Sequence, residues 1–157
     1  MDVSQSGDPG RLLVKNERKD FLMLVGQIYW SVHMSKPGMA FHGCNLGTVQ
    51  TNPKLSDLKR ANKYSRDMKS DKVSLKFRCL HMSSIELIVY ADASYGNLPN
   101  GGSQGGYIIF LCDKYGRCSP ISWCSRRIKR VAHSTLSAET QAAVEASDAA
   151  YLMKKCI

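Results

Sequence analysis

An apolar run that ends on a carboxylate is the feature of this sequence that most constrains its fold. Residues 87–91 read LIVYA, and Asp92 follows them directly. A nearly continuous apolar run of this length is typical of a strand buried on both faces. We therefore predict a central strand over residues 86–91, with an acid at its carboxyl end.

Two more strand signals follow in a spacing that predicts an antiparallel meander. Glycine and other turn-forming residues over positions 96–106 indicate a loop, and residues 107–112 (YIIFLC) indicate a second strand. Residues 113–116 (DKYG) fit a tight turn, and residues 120–125 (PISWCS) alternate as a third strand. The three strands would therefore lie side by side in chain order.

A helix is predicted behind this meander. It begins at about Ser134, and the side chain of Ser134 or Thr135 can cap it. It is rich in alanine, which lets a helix sit close to a sheet. The predicted packing stripe consists of Leu136, Ala143, Ala146 or Ser147, Ala150 and Met153. Together with the strands, this predicts an α/β fold.

The first half of the chain is predicted to be a small helical region. Residues 1–20 are polar and rich in charge, so we expect a disordered leader there. Apolar residues recur at helical spacing over positions 21–32, and Pro37 ends that pattern. A weaker helical pattern, interrupted by Gly43 and Gly47, covers residues 39–49.

A third, strongly basic helix is predicted next. Asn52 would be its N-cap and Pro53 its first residue, and residues 73–77 (VSLKF) alternate as a short strand after it. The helix is either an amphipathic helix with a solvated basic face or a contact for a phosphate backbone. In the second case, Lys59 and Lys63 are candidate nucleic-acid contacts.

The net charge of the chain favours an anionic partner. It is +9 at pH 7, with 22 Lys and Arg against 13 Asp and Glu. Such an excess is typical of nucleic-acid-binding proteins, although basic proteins without this role exist. Arg126, Arg127, Lys129 and Arg130 form a second basic cluster between the third strand and the last helix. They are candidate phosphate contacts, or else a basic link or a nuclear-targeting signal.

The six cysteines are predicted to be free thiols in a reducing compartment, cytoplasmic or nuclear. No apolar signal segment begins the chain, and no apolar run approaches the roughly 20 residues that span a bilayer, so no membrane contact is expected. Cys112, Cys118 and Cys124 recur every six residues, which raises the question of a zinc site. Their spacing is not that of paired zinc ligands, so buried strand cysteines are the favoured interpretation.

Asp92 and Glu139 are candidate ligands for a metal ion. Hydrolysis of a phosphodiester by two Mg²⁺ ions needs several carboxylates that converge from rigid elements. Asp92 ends a predicted strand, and Glu139 lies near the start of the predicted last helix. Each also has a structural interpretation, since Asp92 could begin a turn and Glu139 could stabilise the helix N-terminus.

Four segments in order resemble the ribonuclease H domain of copia-type retrotransposon Pol polyproteins. They are residues 90–96 (YADASYG), 105–111 (GGYIIFL), 120–125 (PISWCS) and 134–142 (STLSAETQA). The resemblance covers residues 85–157. Residues 21–80 resemble more weakly the reverse-transcriptase tail that precedes this domain, through residues 24–28 (LVGQI) and 36–39 (KPGM).

The resemblance implies a fold and an activity. The fold would be a partial ribonuclease H-like one, and the ancestral activity would be hydrolysis of RNA in RNA–DNA hybrids with two Mg²⁺ ions. Asp92 and Glu139 match the first two metal-binding carboxylates of the family. The partner would be a hybrid or other nucleic acid, together with the rest of a Pol polyprotein.

Two departures from the family limit this expectation. The Tyr-x-Asp-Asp motif of the polymerase is absent from the sequence, and the chain stops at Ile157, before the strand and the later acids that the family carries. We therefore expect a C-terminally truncated domain that is inactive as an isolated chain. A non-catalytic nucleic-acid-binding remnant and a purely structural fragment are the alternatives.

Overall fold

The computed structural model describes residues 7–98 and 101–157, which fall into two compact units, Met1–Ser74 and Leu75–Ile157. The first unit holds three helices. The second holds a three-stranded antiparallel sheet and a fourth helix. The predicted α/β class, with a helical region before a meander and a helix, is therefore confirmed.

The first unit is built around one long helix. Helix α1 (Lys15–Met34) is followed by a 3₁₀ turn (Pro37–Met39), by α2 (Ala40–Thr48) and by α3 (Leu55–Ser70). The buried side chains of α1 recur every three or four residues, as expected for one face of a helix. The core of this unit consists of Phe21, Val25, Ile28, Val32, Leu46, Leu55, Leu58 and Ala61.

The glycines that weakened the prediction of α2 have a packing role. A Cβ at Gly43 would meet the side chain of Val32, and a Cβ at Gly47 would overlap the hydroxyl of Tyr29. Both neighbours belong to α1. The two glycines thus let α2 approach α1 closely, and this offsets their low helix propensity.

The disorder predicted for residues 1–20 is wrong for residues 7–20, which the structure describes. Residues 1–6 lie outside the described residues, but Leu12 pairs with Lys54 in an isolated β-bridge, and α1 already begins at Lys15. The guanidinium of Arg11 also forms a bidentate ion pair with Glu17, at 2.7 Å for each bond. These contacts tie the segment to the first turn of α1, which composition alone does not show.

The start of α3 and the strand after it also differ from the prediction. The N-cap is Lys54, whose main-chain N–H donates to Asp57 Oδ2 at 2.8 Å, so Asn52 does not cap the helix. Residues 73–77 form no strand. A short alternating segment needs a neighbouring strand to pair with, and no described strand lies beside this one.

The second unit is a meander with one covered face. Strands β1 (Ile85–Ser94), β2 (Gln104–Asp113) and β3 (Cys118–Arg127) pair in chain order, with a bulge between Ile109 and Phe110. All three strands and their order were predicted. Pro99 and Asn100, which belong to the predicted loop between β1 and β2, lie outside the described residues.

β1 is an edge strand among the described residues, so its predicted central position is wrong. Its side chains are half-buried or exposed, and none is fully buried. An apolar run predicts burial on both faces, but it cannot supply a neighbour on the second side. The described sheet pairs β1 with β2 alone.

Helix α4 (Thr135–Lys154) packs on one face of this sheet. Of the two predicted caps, Ser134 is the one used, because its hydroxyl accepts a hydrogen bond from the N–H of Ser137 at 3.1 Å. The buried stripe is Ala138, Ala142 and Ala146, whereas Leu136 is 72% exposed and Ala143 is exposed. The predicted burial is confirmed for Ala146 and wrong for Leu136 and Ala143.

One glycine explains why the stripe is made of alanine. A Cβ on Gly105 would lie 3.3 Å from the Cβ of Ala142 and 3.3 Å from the side chain of Ile128. The helix therefore rests almost directly on the main chain of β2. Only small side chains fit at this contact, so the rotation of α4 about its axis is decided by Gly105.

The turn between β2 and β3 corrects the prediction about the cysteines. Cys112 and Cys118 are direct partners in the β2–β3 register and form a disulfide, so they are not free thiols. The other four cysteines are thiols. A six-residue spacing did not indicate this pairing, because only the hairpin register brings the two side chains face to face.

Candidate functional site

Asp92 lies near the carboxyl end of β1 and is exposed to solvent. Its partner across the sheet is Gly106, which has no side chain beside the carboxylate. The carboxylate accepts a hydrogen bond from the N–H of Ala93 at 2.8 Å. One carboxylate oxygen is thereby held close to the strand, while the group remains accessible.

The direction of the Asp92 side chain follows from the packing of its neighbour. Ala93 pairs with Gly105, which faces Ala142 of α4, so Ala93 points towards the helix. Successive side chains of a strand point to opposite faces. Asp92 therefore lies on the open face of the sheet, at the free edge that β1 provides.

Glu139 is exposed near the start of α4, on the flank of the helix that faces β1. With about 100° between successive residues, Glu139 and Glu145 lie on opposite sides of the stripe of buried alanines. Glu145 bonds to Arg126 of β3 at 2.7 Å, which fixes that flank on the β3 side. The flank that carries Glu139 is therefore turned to the free edge of β1.

The two acids belong to the same end of the sheet. Ala142, one helical turn after Glu139, lies over Gly105, whose register partner is Ala93. Asp92 is the residue before Ala93. The two acids therefore belong to the same end of the β1 edge but lie on opposite faces of the sheet, which counts against a shared metal ion. An ion that contacted both carboxylates would have to sit at the edge itself.

The described residues provide a small ligand set there. They hold no group of three or more His, Cys, Asp or Glu side chains placed to bind one metal ion. Carboxylate oxygens are the ligands that Mg²⁺ prefers, and it keeps several waters when bound by one or two of them. The site as described thus fits one weakly held ion rather than two fixed ones.

The basic cluster after β3 is divided among several roles. Arg126 is held by Glu145, and this hydrogen bond raises the pKa of the guanidinium. Arg127 lies against Gly102, where a Cβ would stand 2.9 Å from its Nε. Lys129 and Arg130 are exposed. Of the four predicted phosphate contacts, Arg126 is thus already engaged within the protein.

A cleft of about 430 Å³ lies beside this cluster. It separates the loop at residues 101–103 from the linker at residues 127–132. The linker is anchored by Ile128, which is buried and whose N–H donates to the carbonyl of Ser103 at 2.9 Å. Arg127, Lys129 and Arg130 thus surround a concave surface at the end of the sheet where Asp92 lies.

The other predicted contacts, Lys59 and Lys63, lie on α3 in the first unit. Lys63 is exposed and Lys59 is half-buried. They are four residues apart and so lie on one side of the helix. Arg60 is bound to Asp57 at 2.7 Å.

Asp113 is a buried carboxylate, as catalytic acids often are, but in this structure it stabilises a turn. The sequence alone did not identify it as important. Its side chain is fully buried, and its oxygens accept hydrogen bonds from the N–H groups of His81, Tyr115 and Arg117 and from the Arg117 guanidinium. Burial alone would raise the pKa of this carboxyl, but the hydrogen bonds hold it well below the ordinary value. The DKYG turn was the only signal that could have indicated it.

Comparisons with protein-family models, with curated proteins and with solved structures found no match for this chain. Among the described helices, none combines the length and apolar character needed to cross a membrane. The interpretation of the site therefore depends on its own geometry and on the motifs in the sequence.

Proposed function

We propose that residues 85–157 are part of a nuclease domain of the ribonuclease H type, derived from a copia-like retroelement. The observation that carries this proposal is the position of the two acids. Asp92 and Glu139, matched to the family by motif, belong to the same end of the β1 edge, although they lie on opposite faces of the sheet. An intracellular role on RNA–DNA hybrids, cytoplasmic or nuclear, belongs to the same proposal, although the Cys112–Cys118 disulfide counts against a reducing compartment.

The residues of this chain would hold the metal ion and position the nucleic acid, and they would not catalyse the reaction by themselves. Bound Mg²⁺ would supply the Lewis acidity that activates a water and stabilises the leaving oxygen. Asp92 and Glu139 would hold the ion from the two sides of β1. Lys129 and Arg130, exposed beside the cleft, would keep the nucleic acid near this edge through its phosphates.

Binding of a metal ion tests the site without depending on turnover. Mn²⁺, a paramagnetic probe for a carboxylate site, should broaden the amide signals around both Asp92 and Glu139 in an NMR titration. Asp92→Asn and Glu139→Gln should each remove the broadening at both positions, because one ion needs both carboxylates. Asp148→Asn, which removes an exposed acid further along α4, is the matched control and should leave it unchanged.

The titration can also contradict the proposal. Broadening near only one of the two acids, or broadening that survives both substitutions, would show that they do not share an ion. The nuclease interpretation would then lose its central observation.

A non-catalytic nucleic-acid-binding function is the second candidate. The exposed Lys129 and Arg130 beside the cleft favour it, and it needs no metal ion. Each phosphate contact releases counterions, so affinity should fall steeply with salt. The double variant Lys129→Ala/Arg130→Ala should lower the slope of log K against log [salt] by about 0.7–0.9 for each contact removed.

The control for this measurement is a lysine at the other end of the β2–β3 hairpin. Lys114→Ala removes one positive charge from the exposed turn, away from the cleft, and should leave the slope nearly unchanged, whereas Lys129→Ala alone should lower it. A double variant that keeps the parent slope would make Lys129 and Arg130 a solvated edge. The purely structural alternative would then remain.

A further inference from the structure

The outer edge of β1 carries main-chain groups that no other described strand pairs. The N–H of Ala93 bonds to the carboxylate of Asp92, so it points away from β2. N–H groups alternate in direction along an antiparallel strand. The N–H groups that point outward together with it are those of Ile85, Leu87, Val89 and Ala91.

The two edges of the sheet differ in how well they resist pairing. β3 contains Pro120, carries a bulge at Ile121, which has no partner in the register, and ends on Arg126 and Arg127. Bulges, prolines and basic side chains are the features that protect an edge strand. β1 runs for 10 residues without proline, lysine or arginine.

We propose that β1 pairs with the β1 strand of a second copy of this chain, antiparallel and about a two-fold axis. The same edge is used by both copies, so the contact closes on itself and gives a dimer rather than a filament. Pairing with β3 of a neighbour would instead leave further edges open, and the protected character of β3 opposes it. The proposal does not depend on the proposed nuclease function, but both use the edge of β1: the paired residues 85–91 end directly before Asp92, so a second copy there would compete with an ion held at that edge.

The outward groups and the charges select one register. Outward N–H groups must face outward carbonyls, so odd-numbered residues lie opposite odd-numbered ones. With Ile88 on the axis, Leu87 lies opposite Val89 and Ile85 lies opposite Ala91. In this register every outward N–H group is paired except that of Ala93, which already donates a hydrogen bond to the carboxylate of Asp92.

The neighbouring registers are less favourable. Centring the pair on Val89 would place Glu86 directly opposite Asp92, and like charges at opposed positions destabilise a sheet. Centring it on Tyr90 would require the N–H of Ala93, which is bound to Asp92. The axis at Ile88 avoids both the like-charge pair and the use of the Ala93 N–H. It also places the Ile88 side chains of the two copies against each other.

Sedimentation equilibrium of the full 157-residue chain tests the proposal. We expect a monomer–dimer equilibrium, and Ala91→Lys should weaken it by about tenfold or more, since an exposed edge lysine opposes pairing. Val144→Lys is the matched control because it adds the same charge on the exposed side of α4, away from β1. It should leave the dissociation constant unchanged.

Hydrogen exchange of the unaltered chain gives a second measurement that needs no variant to fold. The amides of Leu87, Val89 and Ala91 should exchange more slowly as protein concentration rises, while those of β3 should not change. A monomer at all concentrations, species larger than a dimer, equal effects of the two lysine variants, or exchange in β1 that is independent of concentration would each overturn the proposal.

Discussion

At the scale of single residues, Asp113 shows how one buried carboxylate can organise a turn. It receives three main-chain N–H groups and one guanidinium, and it lies beside the Cys112–Cys118 disulfide. One of these donors, His81, precedes β1, so Asp113 also ties the entry of the sheet to the hairpin. Buried carboxylates are tolerated when all their oxygens are bonded in this way.

We expect Asp113→Asn to destabilise the chain at neutral pH and much less in acid. The pKa of Asp113 in the folded protein is below its ordinary value of 3.8. The contribution is therefore present above the ordinary pKa and is lost as pH falls towards the folded one. Urea unfolding at pH 7 and at about pH 3 should show the gap between parent and variant narrowing.

The control for this prediction is an exposed acid. Asp148→Asn should leave the free energy of unfolding nearly unchanged at both pH values, because Asp148 is exposed on α4. A gap between parent and Asp113→Asn that stays constant with pH would mean that shape, and not charge, is what Asp113 provides.

At the scale of the elements, the contact between α4 and β2 decides how the second unit packs. Ala142 is 2% exposed, and its Cβ lies close to where a side chain on Gly105 would begin. The neighbouring Ala143 is exposed. Two adjacent alanines of the same helix are therefore in opposite environments.

We expect Ala142→Leu to lower the free energy of unfolding by about 1–3 kcal/mol, because the added atoms would push α4 off the main chain of β2. Ala143→Leu should change it by no more than about 0.5 kcal/mol. Urea unfolding of the two variants measures both values. A larger loss for Ala143→Leu would mean that the helix is rotated from the position described above.

At the scale of the whole molecule, the proposed site would have carboxylates for one metal ion, beside an edge of β1 that no other described strand pairs. Hydrolysis by two metal ions needs both ions held at a fixed separation while charge develops on the reacting oxygens. The described residues place two acids at this edge and no third ligand with them. For the proposed nuclease, a third ligand is therefore the missing requirement within the described residues.

We expect the 157-residue chain to show no cleavage of an RNA–DNA hybrid in Mg²⁺ above the level of its Asp92→Asn variant. The measurement is a gel assay with end-labelled RNA in the hybrid. Cleavage by the parent that disappears in Asp92→Asn would contradict this. It would mean that a further ligand is supplied, for example by a second copy of the chain.

The sequence by itself determined the elements that depend on local chemistry. Ser134 caps α4, residues 113–116 form the turn, and the three strands follow in chain order, because caps, turns and alternation act within a few residues. The core face of α1 was predicted in the same way from its helical spacing.

Only the tertiary structure decided the features that depend on distant partners. Gly105 selects which alanines of α4 are buried, the hairpin register joins Cys112 to Cys118, and β1 has only one neighbour among the described strands. The same holds for Asp92 and Glu139, 47 positions apart in the sequence, which the packing of α4 on the sheet assigns to one end of that edge. Local propensity carries no information about such contacts, because they are set by which surfaces meet when the chain packs.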